Sequence, residues 1–330
     1  MEYRTLGSTG LRISAVAVGC GNVGGLFTGD ASDVQVEAVR RVVELGIVWF
    51  DTAPQYGAGR SEANLGRALE EAGARTAQVS TKVRLAYEDL RDIAGAVRRS
   101  AEASLERLGL DRVALLQLHN RITEVRGTQR EAVGVWDVLG RRGVLEALER
   151  LRGEGLCQAT GFTALGETAA LKVAVRSGGF QAAQVYYNLL NPTAGHPAPA
   201  GFPAQDYGCL LDEMAEQRMG ALAIRALADQ PRPELPGPAL SRGSDFAEDR
   251  RRAATLAPLA GRFEVPLARA ALRFALADAR VSAVLVGASD VTQMEEAVQA
   301  LAEGSLPAAF LETWGRLWVA DFYEGGKRLS

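Results

Sequence analysis

Four polar residues in the first 120 positions have the types and spacing of an acid–base site: Asp51, Tyr56, Lys82 and His119. A free tyrosine has a pKa of ~10 and is a poor acid–base group at neutral pH. A neighbouring ammonium favours the phenolate and lowers that pKa, while a carboxylate keeps the lysine charged and in place. A histidine can donate a hydrogen bond to a carbonyl oxygen or help to relay the proton. The set predicts proton transfer to or from a substrate oxygen, with Tyr56 as the acid–base group.

The positions of Asp51, Lys82 and His119 in the chain support this interpretation. Each ends a separate apolar run, and successive members lie roughly one strand-and-helix unit apart. Taken singly, each has a structural explanation. Asp51 could cap a turn, Lys82 could be a solvated residue at a strand end, and His119 could be a partly buried histidine with its hydrogen bonds satisfied. Three titratable residues at three consecutive strand ends favour a shared site, because such ends converge on one face of a barrel. Tyr56 follows in a turn that a proline and a glycine fix.

Short apolar runs alternate with longer segments of helical period, which is the pattern of a parallel sheet wrapped by helices. The predicted barrel strands are Ala15–Gly19, Ile47–Asp51, Val79–Val83, Val113–His119, Cys157–Phe162, Ala182–Tyr186, Ala221–Arg225 and Ser282–Gly287. The predicted helices include Asp33–Leu45, Glu62–Glu71, Glu88–Leu108 and Val144–Arg152, with Val291–Leu301 and Pro307–Val319 at the end. A hairpin of Tyr3–Leu6 and Leu11–Ile13 is expected to close the bottom of the barrel. We therefore predict an α/β fold, a (β/α)8 TIM barrel with an N-terminal β-hairpin and C-terminal extra helices, as one domain over residues 1–330.

A glycine-rich segment and two long connections complete the pattern. Gly19-Cys20-Gly21-Asn22-Val23-Gly24 matches GxGxxG after a strand, but in a dinucleotide-binding βαβ unit the third glycine opens a helix. Here the next helix can begin only near Asp33, so we interpret the segment as a loop at the top of the first strand. The proline-rich connections Asn191–Gly208 and Asp229–Asp245 both follow strands and are predicted to be functional loops on the catalytic face.

Composition excludes several classes of function. The 330 residues carry a formal net charge of -3 and a pI near 5.7, so we expect no nucleic-acid partner and no membrane surface. The chain has three cysteines, Cys20, Cys157 and Cys209. Their odd number and the absence of a CxxC pair argue against a disulfide framework and a zinc site. Reduced cysteines and an N-terminus without an apolar signal segment predict a cytoplasmic protein, and the cysteine pattern predicts no metal site.

Three segments contain the four acid–base residues in order. They are Phe50-Asp51-Thr52-Ala53-Pro54-Gln55-Tyr56-Gly57, Ser80-Thr81-Lys82-Val83 and Leu115-Leu116-Gln117-Leu118-His119. With them the chain resembles the aldo-keto reductase superfamily over essentially its whole length, and it is similar to bacterial branches that include aldose dehydrogenases. The resemblance implies hydride transfer between a nicotinamide cofactor and an aldehyde, ketone or sugar, while Tyr56 protonates the developing alkoxide.

The resemblance also implies cofactor contacts, in segments that depart from the common pattern. Ala164 stands where members commonly have an asparagine that binds the nicotinamide amide, and Arg225 stands where many have a stacking tyrosine. NADPH-selective members often have an arginine at the position of Gln293, and such a group is a strong partner for a 2′-phosphate. NADP(H) is the expected cofactor and NAD(H) is the alternative, although Arg225 or Arg242 could compensate. The implied contacts are Thr163, Gln184, Arg225, Leu227, Arg242, Gly287, Ser289, Gln293 and Glu296.

Two other functions fit a barrel, because this fold alone implies no activity. One is a nucleotide-binding redox sensor or regulatory subunit with little turnover, against which the complete set of acid–base residues argues. The other is an isomerase or aldolase that uses Lys82 as a Schiff base. It predicts that borohydride traps the lysine with substrate and that no nicotinamide is needed.

Overall fold

Short strands alternate with helices along the chain in a computed structural model, which describes residues 1–22, 25–129, 131–202, 204–227 and 246–320. The strands are β1 (Tyr3–Thr5), β2 (Arg12–Ser14), β3 (Val16–Gly19), β4 (Trp49–Asp51), β5 (Gln78–Val83), β6 (Val113–Leu118), β7 (Arg121–Thr123), β8 (Ala132–Gly134), β9 (Cys157–Thr163), β10 (Ala182–Tyr186), β11 (Gly220–Ile224) and β12 (Val281–Gly287). The helices are α1 (Ser32–Glu44), α2 (Arg60–Glu71), α3 (Ile93–Leu108), α4 (Val135–Leu139), α5 (Val144–Gly153), α6 (Thr168–Arg176), α7 (Leu210–Glu216), α8 (Phe246–Arg262), α9 (Leu267–Ala277), α10 (Val291–Ala302) and α11 (Ala308–Val319).

Eight of these strands form a closed barrel in the order β3-β4-β5-β6-β9-β10-β11-β12, and neighbouring strands are parallel. The predicted TIM barrel is confirmed, and each predicted strand agrees with the structure to within a residue or two. Because the strands are parallel, their carboxyl ends all lie at one end of the barrel, which we call the barrel mouth. No helix within the described ranges is long and apolar enough to span a membrane.

Side chains along the barrel strands alternate between the inside of the barrel and the surrounding helices, as the two-residue period of a strand requires. The lower inside is apolar and contains Ala17, Trp49, Leu115, Ala159, Ala182, Leu222, Ala283 and Leu285. Two residues further along β4, β6 and β10, the same face carries Asp51, Gln117 and Gln184. The strand period therefore places a polar layer at the barrel mouth, directly above an apolar core.

The predicted N-terminal hairpin is confirmed as the antiparallel pair β1–β2. Leu6, directly after β1, and Ile13, in β2, are fully buried and belong to the apolar cluster inside the barrel. Leu6 packs so closely on Gly220 that a Cβ atom at this glycine would clash with the leucine side chain. The hairpin thus closes the end of the barrel opposite the mouth.

One helix prediction is wrong in its continuity. The segment Glu88–Leu108 contains a 3-10 turn at Glu88–Arg91 and a separate helix, α3, that begins at Ile93. Asp92 between them is not helical, and its carboxylate accepts a hydrogen bond from the Gly95 amide at 3.1 Å. An N-cap carboxylate of this kind satisfies an amide that the first turn of a helix leaves without a partner.

The described part of the connection at 191–208 is packed on the rest of the protein. The indole nitrogens of Trp314 and Trp318, both in α11, donate to backbone carbonyls at 3.1 and 3.2 Å in or beside this connection. His196, which lies within it, stacks on Tyr187 with ring centroids 6.3 Å apart. The histidine is therefore a packing residue of the connection, away from the acid–base residues.

Candidate active site

Lys82 and Asp51 form a buried ion pair at the barrel mouth, on the adjacent strands β5 and β4. The Lys82 ammonium donates to Asp51 Oδ1 at 2.5 Å, to the Thr52 carbonyl at 2.8 Å and to the Tyr56 hydroxyl at 3.2 Å. An ammonium has three donors, so all three are used. The lysine is fixed in direction as well as in position, and one of its contacts is the predicted acid–base group.

Charge and burial act in opposite directions on Lys82. Burial lowers the pKa of its ammonium, but Asp51 raises it by its negative charge and hydrogen bond, the Tyr56 oxygen raises it as well, and the net pKa is above the ordinary value. A lysine in this environment stays protonated at neutral pH. It can therefore place positive charge beside the Tyr56 oxygen but is a poor nucleophile.

Tyr56 projects over the barrel mouth from a tight turn between β4 and α2. Gly57, Ala58 and Gly59 follow it with φ values of 60°, 56° and 91°. Left-handed backbone is easy for glycine and strained for alanine, so the chain reverses sharply here and α2 begins at Arg60. Gly21 lies under the ring, where a Cβ atom would meet it at 3.4 Å. The predicted turn is confirmed, and Gly21, shortly after β3, gives the tyrosine ring room.

The expected lowering of the Tyr56 pKa is wrong for this structure. Burial raises the pKa of the phenol, Lys82 lowers it by its charge, and Asp51 raises it again, with a net pKa above the ordinary value. Lys82 acts in the expected direction, but desolvation is the larger effect. Tyr56 is therefore a phenol at neutral pH, in the state needed to give a proton.

His119 completes the group directly after β6, the strand next to that of Lys82. Its ring meets the Tyr56 ring edge-on at 88°, with centroids 5.9 Å apart. Burial lowers the pKa of His119 well below its usual value, and the charges of Lys82 and Arg84 lower it further, so the imidazole is neutral at pH 7. Its Nδ1 atom lies 3.2 Å from Gln55 Oε1. A carbonyl oxygen only accepts, so in this orientation Nδ1 carries the proton.

Two further polar residues of the site were missed from the sequence: Ser80 and Gln117. The Ser80 hydroxyl donates to Asp51 Oδ2 at 2.6 Å, and the Gln117 amide donates to the same oxygen at 3.4 Å. Ser80 lies two residues before Lys82 on β5, and Gln117, on β6, lies two residues before His119. The two-residue period places such side chains on the same face, and this signal could have identified them.

The structure brings two predicted cofactor residues, Thr163 and Gln184, into this polar layer. They are paired across β9 and β10, and Gln184 Nε2 donates to Asp51 Oδ2 at 2.6 Å. Within the described ranges, the buried Thr163 Oγ1 and Gln117 Oε1 have no hydrogen-bond partner. Buried polar atoms without partners are rare in proteins and indicate a missing ligand or water. The residues present therefore fit a polar ligand group such as the carboxamide of nicotinamide.

The predicted cofactor residues after β11 lie at the edge of the described structure. Arg225 has a φ of 57°, and its guanidinium lies 5.8 Å from the centroid of the Tyr186 ring. Tyr186 ends β10, on the same face as Gln184 two residues before it. Leu227 is half-buried against the core. Arg242 and the connection at 229–245 lie outside the described residues.

The remaining predicted contacts surround the start of α10. Gly287 ends β12, and the Ser289 amide donates to Gln293 Oε1 at 3.0 Å. Asp290 caps the helix by accepting from the Gln293 amide at 3.3 Å, and Glu296 is exposed one turn later. Helix N-termini attract anions, but at this one the Asp290 carboxylate already occupies one of the amides and adds negative charge.

Comparison with known proteins agrees with this geometry. The model of the aldo/keto reductase family matches residues 15–318. Among curated relatives, L-galactose dehydrogenase of Arabidopsis thaliana is 29% identical, with 92% of this chain and 89% of the relative covered. D-threo-aldose 1-dehydrogenase of a Pseudomonas species is 30% identical, with 88% and 89% covered.

Solved structures share the fold. An aldo-keto reductase from Bacillus halodurans in its holo form superposes with a TM-score of 0.71 at 22% identity, over 99% of this chain and 100% of that one. An aldo-keto reductase from Klebsiella pneumoniae in complex with NADPH has a TM-score of 0.71 at 19% identity, over 100% and 99% of the two chains. With the family model matching nearly the whole barrel, the chain belongs to the aldo/keto reductase family and is an NAD(P)-dependent oxidoreductase.

Proposed function

We propose that this protein transfers a hydride between NADP(H) and a small carbonyl compound or its alcohol, with Tyr56 as the general acid in reduction and the base in oxidation. The contact that carries the proposal is the 3.2 Å hydrogen bond from the Lys82 ammonium to the Tyr56 hydroxyl. When Tyr56 gives up its proton, the phenolate that forms already lies beside a fixed positive charge. That charge stabilises the phenolate without any rearrangement of the site.

Asp51 and His119 have separate roles in this proposal. Asp51 keeps Lys82 charged and directed at Tyr56, because it accepts from the ammonium at 2.5 Å. His119 borders the space above Tyr56 with a neutral imidazole, which adds no further positive charge to the site. With its Nδ1 proton directed at Gln55, the ring can accept a hydrogen bond at Nε2 from the hydroxyl group of the alcohol and help to orient it toward Tyr56.

Nicotinamide supplies the hydride when it is bound. Thr163 and Gln184 are proposed to hold its carboxamide, and Arg225 and Leu227 to border it. Gly287, Ser289, Gln293 and Glu296 would hold the adenosine end, with Arg242 as a further contact. NADP(H) is supported by the related fold that was solved with NADPH. NAD(H) is the alternative, because Gln293 is neutral and Asp290 places a carboxylate at the start of α10.

A sugar is the substrate class that we propose first. Two relatives that cover most of this chain are named as dehydrogenases of L-galactose and of D-threo-aldoses. Aldehydes and ketones outside the sugars remain in the proposal, since the acid–base chemistry at Tyr56 is the same for them.

The three cysteines carry no disulfide, which supports a reducing compartment such as the cytoplasm.

The state of Lys82 argues against a Schiff-base aldolase or isomerase. A Schiff base needs a neutral amine, whereas Asp51 and Tyr56 raise the pKa of Lys82 and its ammonium donates three hydrogen bonds. A regulatory subunit with little turnover would need no such arrangement. The acid–base geometry therefore favours an active enzyme.

Replacing Tyr56 by Phe tests the proposed acid. Tyr56→Phe should lose carbonyl reduction by about 10²–10⁴-fold, the usual contribution of a general acid, while nucleotide binding followed by fluorescence quenching stays within about twofold of wild type. Tyr87→Phe is a matched control, because Tyr87 is 70% exposed. Full activity in Tyr56→Phe would disprove the assignment, and a wild-type protein that binds neither NADPH nor NADH would disprove the function.

A further inference from the structure

Gln117 has an amide whose orientation is fixed by its neighbour. Its side chain is fully buried, and its nitrogen lies 3.4 Å from Asp51 Oδ2. A carboxylate oxygen only accepts hydrogen bonds, so the NH₂ group of the amide must face Asp51. The amide oxygen then points elsewhere, and among the described residues it has no hydrogen-bond partner. Gln117 therefore presents a buried acceptor that a ligand can satisfy.

Thr163 presents a second such atom on the neighbouring strand. Gln117 on β6 is in register with Gly161 on β9, and Thr163 lies two residues further along β9 on the same face. Gly161 between them has no side chain that could separate the two groups. The Thr163 hydroxyl is buried and, like the Gln117 oxygen, has no partner in the described structure.

The two atoms complement a primary carboxamide. A hydroxyl can donate to the carbonyl oxygen of such a group, and an amide oxygen can accept from its NH₂. Ala164, next to Thr163, has no polar side chain to do this, and the Gln184 nitrogen is already bonded to Asp51 at 2.6 Å. Leaving buried polar atoms without partners is unfavourable, so a ligand that pairs both gains binding free energy.

We propose that Gln117 is a cofactor-binding residue that accepts a hydrogen bond from the carboxamide NH₂ of nicotinamide, while Thr163 donates to the carboxamide oxygen. This inference rests on the proposed function and extends its cofactor site by one residue. Because the other end of the Gln117 amide contacts Asp51, one side chain joins the carboxamide to the carboxylate that holds Lys82. Gln117 then sets the position of the nicotinamide relative to the acid–base group.

The test compares NADP⁺ with its 3-acetylpyridine analogue, in which a methyl group replaces the carboxamide NH₂. Binding of both to the full-length protein is measured by isothermal titration calorimetry, so the readout is independent of turnover. Wild type should bind NADP⁺ about five- to tenfold more tightly than the analogue, as expected for one hydrogen bond. In Gln117→Met this ratio should fall by a factor of about three or more, because NADP⁺ loses its hydrogen bond to Gln117 and the analogue does not.

Thr163→Val is the matched control. It removes the hydroxyl that donates to the carbonyl oxygen of the ligand. Both nucleotides have this carbonyl, so the affinity for each should fall by the same factor and the ratio of the two affinities should stay as in wild type. If Gln117 acts only by supporting Asp51, Gln117→Met will weaken both nucleotides equally, and the inference is then wrong. Gln117→Leu provides a second variant if the methionine variant does not fold. A wild type that binds neither nucleotide overturns the proposed function itself, whereas binding with an unchanged ratio in both Gln117 variants overturns only the inference.

Discussion

The Lys82 ammonium lies 2.5 Å from Asp51 Oδ1, and both side chains are buried at the barrel mouth. A pair in this position has two consequences. It holds the charge that acts on the Tyr56 oxygen, and neither member can be removed alone without leaving an uncompensated charge inside the protein. Stability and catalysis therefore depend on the same contact, and the two can be separated by substitution.

Asp51→Asn should destabilise the fold by about 3–5 kcal/mol, since it leaves the buried ammonium without its counter-charge. Lys82→Met should destabilise the fold to a similar extent, since it leaves the buried Asp51 carboxylate without its counter-charge. The double variant Asp51→Asn/Lys82→Met removes both charges, so we expect it to regain most of the lost stability while carbonyl reduction stays depressed by about 100-fold or more. Urea unfolding measures the first quantity and steady-state kinetics the second. Additive losses of stability in the double variant would show that the pair is not coupled.

The raised pKa of Tyr56 predicts the pH dependence of the two reaction directions. Reduction needs the phenol, which is lost only as the pH rises through the Tyr56 pKa, and burial holds that pKa above its ordinary value near ~10. We expect kcat/KM for reduction to stay flat from pH 7 to about pH 9. Oxidation needs the phenolate, so its rate should rise by about tenfold per pH unit over the same range. A reduction rate that halves near pH 8 would contradict this prediction.

The barrel and the four acid–base residues are predictable because their signals are local. Apolar runs alternating with helical segments specify the parallel barrel, and its geometry brings the ends of successive strands to one face. Asp51, Lys82 and His119 need only their positions at those ends to be assigned to a common site. Ser80 and Gln117 follow from the same strand period, once it is continued two residues down from Lys82 and His119.

Other features of the site depend on quantities that no sequence pattern contains. The direction of the Tyr56 pKa shift is set by the balance between desolvation and the charge of Lys82, and this balance needs the depth of the phenol. The contact between Gln55 and His119 depends on the path of the connection after β4, since Gln55 lies in this connection rather than on a strand. The helical period alone does not show whether Asp92 lies within one continuous helix or caps the start of a second one.

The chain has two histidines, which makes the state of His119 directly measurable by ¹⁵N NMR. We expect His119 to remain neutral at pH 6, because burial and nearby positive charges lower its pKa. With Gln55 Oε1 facing Nδ1 at 3.2 Å, the proton should lie on Nδ1. Gln55→Glu places a carboxylate there, which should keep the proton on Nδ1 and raise the pKa of His119. The His119 signals are assigned as those that disappear in a His119→Asn variant. If the pKa of His119 is unchanged in Gln55→Glu, the contact between Gln55 and His119 is ruled out.

Gln293→Arg should shift the cofactor preference toward NADPH by about tenfold or more. Gln293 lies in the first turn of α10, where its side chain now accepts from the Ser289 amide at 3.0 Å and contributes no charge. A guanidinium at this position would offset the Asp290 carboxylate and can pair with a 2′-phosphate through charge-assisted hydrogen bonds. The ratio of the dissociation constants for NADPH and NADH, measured by fluorescence quenching, checks the shift. Gln299→Arg, two turns further along the same helix, carries the same added charge and should leave the ratio unchanged. An equal shift in both variants would mean that net charge acts at long range, and that the start of α10 does not hold the 2′-phosphate.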